Sequence, residues 1–340
     1  MERRAAAVMS AAALGLAVGI LVPSDLALAS SGSAPIAPKA SEGCRTRAAP
    51  PGEKRVTMTS GGVRRAYFRH VPPQANTRKP LPLVVDLHGY MEPAAAHKAN
   101  SALGVFGDHH GFVTITPEGS GPVPHWDTHF DSADMVFIGD VLDEANGTLC
   151  IDERRIYVSG YSNGAFMASA IACVYADRVA AIAPVAGIRA VPGCAPARPV
   201  PVVAFHGTAD EWLSFTGGVG PKVDALPEPG QQQTRDSAAP SESGLSIPGV
   251  AAAWAARNGC GPTPTESQVA SDVRVVRYDC PGGADVALYV VEGAGHTWPG
   301  SRFSKAIAQF VGPTTLSIDA DALMWKFFQR HPLRGTSAAP

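Results

Sequence analysis

Blocks of lysine or arginine are missing from this 340-residue chain, and its formal net charge is only −2. A near-neutral chain without a basic stripe has no electrostatic footprint for nucleic acid, which excludes that class of partner. Metal-ligand spacings are missing as well. No C-x-x-C pair occurs and no H-x-x-x-H lies on a helical pattern, so neither a metal nor a cofactor is expected. His109 and His110 stand just before a strand and read as surface residues. Past residue 22 no apolar run is long enough to span a bilayer, which excludes stable membrane insertion once the leader is removed. There is no internal repeat, and nothing marks an obligate protein partner.

What the chain does have begins with an export signal. Glu2, Arg3 and Arg4 precede an alanine- and leucine-rich run to Val22, and PSDLALAS then offers Ala27 and Ala29 in the A-x-A cleavage pattern. Residues 1–29 therefore read as a signal peptide, and the mature chain as secreted. Six cysteines suit an oxidising compartment, where an even count commonly means disulfides. Cys260 and Cys280 are expected to pair, because NGC closes a helical pattern and YDC closes the next strand. The pairing of Cys44, Cys150, Cys173 and Cys194 is left open.

Residues 30–52, rich in serine, alanine and proline, read as a flexible linker. The folded domain is expected over 53–332, with 213–244 as a lid-like loop and 333–340 as a disordered tail. RVTMTS and RRAYFRHVP flank Gly61 and Gly62 as a β-hairpin. LPLVVDLHG, FVTITPEG, RRIYVSG, AAIAPVAG, PVVAFHGTAD and ADVALYVVEGAGH follow, most of them continuous apolar runs that suit a parallel sheet buried on both faces. Helical patterns sit between them. SADMVFIGDVLDEANG has Ser132 or Asp131 as its cap, AFMASAIACVYADR follows a strand, IPGVAAAWAARNG is capped by Ser246, and DADALMWKFFQRH closes the domain. Strands alternating with helices predict an α/β fold, a mostly parallel, doubly wound sheet.

VSGYSNGAF places Ser162 between Gly160 and Gly164, where a strand turns into a helix. In the G-x-S-x-G pattern, glycines on both sides allow a turn tight enough to lift the serine hydroxyl clear of the sheet. Such a hydroxyl is a poor nucleophile until an imidazole takes its proton, and the imidazole needs a carboxylate to fix its tautomer. In sheets of this kind the partners follow in the order Ser, Asp, His, each after a later strand. Asp210 ends FHGTAD and His296 sits in VVEGAGHTWPG, in that order and at strand ends. Asp134, Asp177 and Asp285 lack that placement. The backbone N–H groups of Asn163, which follows the serine, and of Tyr90, after the glycine turn of LVVDLHGY, are the candidate oxyanion donors. Trp126, Trp212 and Trp298 are candidate walls of a substrate pocket. His88 and His206 read as structural.

LHGY, GYSNGA, FHGTADEW and GAGHTWPG together resemble the secreted polyhydroxybutyrate depolymerase and feruloyl esterase group of α/β-hydrolases, from about Gly61 to Phe328. The resemblance implies the α/β-hydrolase fold with a nucleophile elbow at Ser162, Asp210 as orienting acid and His296 as base. Many members carry cysteine where this chain has Tyr90, so their disulfide pairing is not carried over. The expected function is a secreted serine carboxylesterase acting through an acyl-enzyme on a small-molecule or oligomeric ester, foremost hydroxybutyrate esters or oligomers. Alternatives are a feruloyl or acetyl-xylan esterase, an acyltransferase, and, from another class, a binding protein on a hydrolase scaffold.

Overall fold

The computed structural model describes residues 36–46, 48–77, 79–225 and 245–334. Among the described residues one ten-stranded sheet runs in the spatial order 52–60, 63–71, 113–117, 81–87, 151–161, 181–185, 202–207, 286–291, 273–278 and 265–270. The predicted hairpin forms β1 (Gly52–Ser60) and β2 (Val63–Val71) around Gly61 and Gly62. The six central strands are parallel: β3 (Leu81–Leu87), β4 (Val113–Pro117), β5 (Ile151–Tyr161), β6 (Ala181–Val185), β7 (Val202–Gly207) and β10 (Val286–Val291). Beyond β10 the sheet ends in an antiparallel pair, β9 (Val273–Tyr278) and β8 (Thr265–Ala270).

Two apolar layers show why the central strands are apolar throughout. Leu83, Val85 and Leu87 of β3 point into one cluster, whereas Val84 points into the other, as the two-residue period of a strand requires. The first layer packs under α3 (Ala133–Thr148), α4 (Asn163–Val174) and α5 (Ile247–Arg257). The second takes Leu103 of α2 (Leu103–His110) and Met324, Trp325 and Phe328 of α8 (Ala320–Phe328). With helices on both faces, the sheet is doubly wound and has the α/β-hydrolase form.

Ser132 caps α3 by accepting from Met135 N, and Ser246 caps α5 by accepting from Gly249 N. Four helices carried no clear periodic signal: α1 (Ala94–Ser101), α2, and the short α6 (Arg302–Ala306) and α7 (Ala308–Val311). Strand β8 was also illegible. Its five leading residues are exposed on the sheet edge, so it lacks the apolar face that marks a strand.

The linker reading needs correction over its described part. Lys39 N donates to Asp152 Oδ1 at 2.8 Å, Ser41 N donates to Ile151 O at 3.0 Å, and Cys44 is bonded to Cys150. Residues 36–46 thus dock on the start of β5, and the polar composition concealed this because a disulfide and backbone bonds do the anchoring. Cys260 pairs with Cys280 and Cys173 with Cys194. Loss of the Cys44–Cys150 bond, which closes 106 residues, is expected to cost about 4 kcal/mol through the entropy of the unfolded chain. Chemical denaturation of the Cys44→Ser, Cys150→Ser protein checks this, and a loss under about 1 kcal/mol would contradict it.

The lid-like reading also changes over the residues that can be followed. Leu213 and Val223 are buried, and Ile247 N donates to Phe215 O, so 213–225 is anchored at these points. Residues 226–244, like the expected signal peptide at 1–29, lie outside the described residues. The expected tail is held at its beginning, where Leu333 N donates to Arg154 O at 2.7 Å.

Candidate active site

Strand β5 delivers Ser162 to the carboxyl end of the sheet. There the serine adopts φ 54° and ψ −118°, a conformation that costs a non-glycine residue on the order of 1–3 kcal/mol. It is held there by Ser162 N donating to Val185 O at 2.9 Å and by Ser162 O accepting from Ala165 N and Phe166 N. The flanking glycines are needed for contact. A methyl group on Gly164 would be driven into the carbonyl oxygens of Leu87 and His88, and one on Gly160 into the carbonyl of Gly164. Gly164→Ala is accordingly expected to lose at least about 2 kcal/mol of stability in urea unfolding, and wild-type-like unfolding would refute this packing.

The turn after β7 carries Asp210 and the loop after β10 carries His296, both nearly buried at 6% and 5% exposure. Nδ1–H of His296 donates to Asp210 Oδ2 at 2.8 Å. The other carboxylate oxygen accepts from Trp212 N at 2.8 Å and Leu213 N at 2.9 Å. Burial works to raise the Asp210 pKa, but His296, His206 and the Leu213 N–H outweigh it and hold the carboxyl below its ordinary value. A carboxylate on Nδ1 leaves Nε2 of the imidazole as the acceptor, the tautomer a base needs.

His296 is itself fixed by the backbone: its N donates to Val311 O at 2.6 Å, and its carbonyl accepts from Tyr161 Oη at 2.5 Å. Tyr161 is the residue before Ser162, and its ring lies 5.0 Å from the imidazole. The structure therefore brings Asp210 and His296 into direct contact and sets both beside the elbow. Among the described residues no hydrogen bond joins Ser162 Oγ to His296, a bond that in hydrolases often tightens only when substrate arrives.

The loop after β3 lies against the elbow. A methyl group on Gly89 would stand 3.4 Å from Ser162 Cβ, so the Gly89–Tyr90 peptide passes beside the serine. Asn163 is the first residue of α4, and its N–H has no acceptor within the helix. Its side chain has a separate part: Oδ1 accepts from Trp126 N at 2.7 Å and Nδ2 donates to Trp126 O at 3.2 Å, tying the 118–128 loop to the elbow.

The pocket expectation fails for two of the three tryptophans. Trp126 is 0% exposed, with Nε1–H on His88 O, and Trp298 is 1% exposed, with Nε1–H on Asp321 Oδ1. Both side chains pack the core, and they present no surface to a ligand. Trp212 is half-buried with its ring 6.3 Å from that of His296, which leaves it alone of the three at the site.

Both histidines read as structural turn out to brace the site. Burial lowers the His88 pKa to about 4, so the ring is neutral. Its Nδ1–H donates to Gly89 O at 2.7 Å and its Nε2 accepts from Gly119 N at 2.8 Å. His206 is likewise held low by burial, and its Nε2–H meets Leu213 O at 2.9 Å with Asp210 Oδ2 3.3 Å away.

No family model matches the chain. Feruloyl esterase B of Piromyces equi is 28% identical over 231 residues, 64% of this chain and 40% of its own length. The putative esterase NocK of Nocardia uniformis is 28% identical over 313 residues, covering 85% of this chain and 90% of its own. Poly(3-hydroxyalkanoate) depolymerase C of Paucimonas lemoignei is 34% identical over 129 residues, 35% of this chain and 30% of its own. The chain thus spans less than half the length of two of these relatives. Among solved structures, an acetyl xylan esterase from Aspergillus awamori superposes with a TM-score of 0.51 at 14% identity, over 76% of this chain and 98% of its own. The chain has the α/β-hydrolase fold. In sequence it is similar to esterases of several kinds, feruloyl esterases and a poly(3-hydroxyalkanoate) depolymerase among them.

Proposed function

We propose that this chain is a serine carboxylesterase, exported after removal of residues 1–29, in which Ser162 is the nucleophile, His296 the base and Asp210 the acid that orients it. The observation that carries the reading is the strained serine at the elbow, set beside an Asp210–His296 pair that is already hydrogen-bonded. Strain of this kind persists only where the surrounding structure imposes it, and it concentrates at functional sites. In the reaction His296 Nε2 takes the Ser162 proton as Oγ bonds to the ester carbonyl carbon. The N–H groups of Tyr90 and Asn163 receive the resulting oxyanion. Collapse expels the alcohol, which takes the proton from His296, and water then releases the acid by the same steps in reverse roles.

Two substrate classes suit this chemistry. Hydroxyalkanoate oligomers rest on the 34% match to a depolymerase, and plant-wall acyl esters rest on the longer match to a feruloyl esterase. A panel of nitrophenyl esters, methyl ferulate, acetylated xylan and hydroxybutyrate oligomers, run on the mature chain, separates them. Selective cleavage of the oligomers supports the depolymerase-type reading, and preference for ferulate or acetyl-xylan supports the other. Absence of turnover on the whole panel returns the chain to the binding-protein class.

A further inference from the structure

Beneath the loop after β3 lies a buried group of charges that the reaction above does not use. His97 of α1 is fully buried between two carboxylates: its Nδ1 is 3.0 Å from Glu92 Oε2 and its Nε2 3.1 Å from Asp86 Oδ1. Asp86 also accepts from Ser101 Oγ at 2.6 Å and Ser159 Oγ at 2.7 Å. Burial works to lower the His97 pKa, but Asp86 and Glu92 outweigh it and lift it to about 10. Burial works in the opposite sense on both acids, and contact with His97 still holds them below their ordinary values. The imidazolium is therefore charged, and both carboxylates are ionised around it.

The free side of this group points at the oxyanion loop. Glu92 Oε2 accepts from Gly89 N at 2.8 Å. On the other flank of the same residue, Gly89 O accepts from His88 Nδ1 at 2.7 Å and from Glu92 N at 3.3 Å. A trans peptide is planar, with its N–H opposed to its C=O, so fixing the Gly89 carbonyl fixes the direction of the Tyr90 N–H. Glu92 Oε1 accepts from Asn100 Nδ2 at 3.2 Å, and Asn100 Oδ1 in turn accepts from Ser301 Oγ at 3.1 Å and Ser304 Oγ at 2.8 Å, on the segment that follows His296. The ring of His97 stacks on Tyr161, whose hydroxyl holds the His296 carbonyl. One buried network thus touches the oxyanion loop, the elbow and the loop of the base.

We propose that Glu92 is a positioning residue: its carboxylate, braced by His97 and Asn100, clamps Gly89 and so aims the Tyr90 N–H at the developing oxyanion. The inference rests on the esterase reading of Ser162. Ionised groups without solvent are a poor way to gain stability, since desolvation offsets most of their attraction. An ionised acceptor on a single backbone N–H is, however, a strong and directional restraint. Such a clamp acts on the transition state, where charge develops on the carbonyl oxygen, far more than on substrate binding.

The test compares parent, Glu92→Ala and Glu92→Gln for kcat, KM and the affinity of a phenylboronic acid, whose serine adduct is a tetrahedral anion. Each is measured well below the melting temperature on protein shown to be folded. Losing an oxyanion donor costs on the order of 100-fold in rate, so misaiming one in Glu92→Ala is expected to lower kcat by about 10- to 100-fold. Boronate affinity should fall in parallel, with KM changed less than about threefold. Glu92→Gln keeps an acceptor for Gly89 N–H and is expected to recover part of the loss. If Glu92→Ala does not fold, Glu92→Gln decides alone: a kcat at least about threefold below the parent at constant KM supports the clamp. A folded variant with parental kcat, or a change confined to KM or to melting temperature, overturns it. Turnover by the parent is measured first with Ser162→Ala as control. Its absence overturns the esterase reading and the clamp together, whereas parental turnover with indifferent Glu92 variants overturns the clamp only.

Discussion

Ser162→Ala is expected to abolish ester turnover, lowering kcat by on the order of 10⁴- to 10⁶-fold, while the melting temperature stays within a few degrees of the parent's. The size follows from the chemistry: without Oγ there is no acyl-enzyme, and only transition-state binding by the remaining donors is left. Preservation of the fold follows from the local structure. Among the described residues the serine hydroxyl makes no hydrogen bond that the fold needs, and Ser162 is held through its backbone. Alanine retains the Cβ and keeps those backbone bonds, although it bears the same unfavourable φ of 54°. Steady-state kinetics paired with thermal unfolding check the two halves separately, and a folded variant with more than about a tenth of parental kcat would remove Ser162 from the mechanism.

Asp210→Asn is expected to lower kcat by on the order of 10³- to 10⁴-fold with KM little changed. Asparagine fits the same space and still accepts from Trp212 N and Leu213 N through Oδ1. Its amide nitrogen would then take the place of Oδ2, facing His296 Nδ1 at 2.8 Å and the Nε2–H of His206 at 3.3 Å. Two donors cannot share that contact, so the His296 ring turns to the other tautomer and presents Nε2–H, a donor, to the serine. The neutral His206 could relieve the clash only by moving its proton from Nε2 to Nδ1, which gives up the bond to Leu213 O. Asp210→Asn should therefore be inactive but foldable, and Asp210→Ala, which leaves His296 Nδ1–H and the backbone N–H groups of Trp212 and Leu213 without their acceptor, less stable than Asp210→Asn. Parent-like kcat in Asp210→Asn would show that another group orients the base.

The parts of the fold and site that were legible in the sequence share one cause. In a doubly wound sheet the central strands are apolar on both faces and end at glycine turns. The runs ending at Gly89, Gly160 and Gly207 could therefore be placed, together with the residues that follow them. Chain order did the rest for Asp210 and His296. Features that escaped detection lack a periodic signal. Helix α1 is alanine-rich and short, and Ala102 at φ 53° separates it from α2, so neither helix shows the amphipathic stripe that marks a surface helix. Strand β8 sits on an exposed edge, and residues 36–46 are held by Cys44 and backbone bonds rather than by an apolar face. The Glu92 network was invisible for another reason. It joins Asn100 to Ser301 and Ser304 across about two hundred residues, and polar contacts at that separation leave no local pattern. Trp126 and Trp298 lie in loops after strands, as site residues do, yet burial alone decides that they pack the core.

The most direct test of the central claim is to trap the acyl group. The mature protein is mixed with a nitrophenyl ester, quenched in acid within the first turnovers, and mapped by peptide mass spectrometry. A stoichiometric burst of nitrophenol with the acyl mass on Ser162, absent from Ser162→Ala and reduced in rate in His296→Ala, is the result predicted here. Turnover without a burst adduct, or an acyl group carried by any other residue, would contradict it.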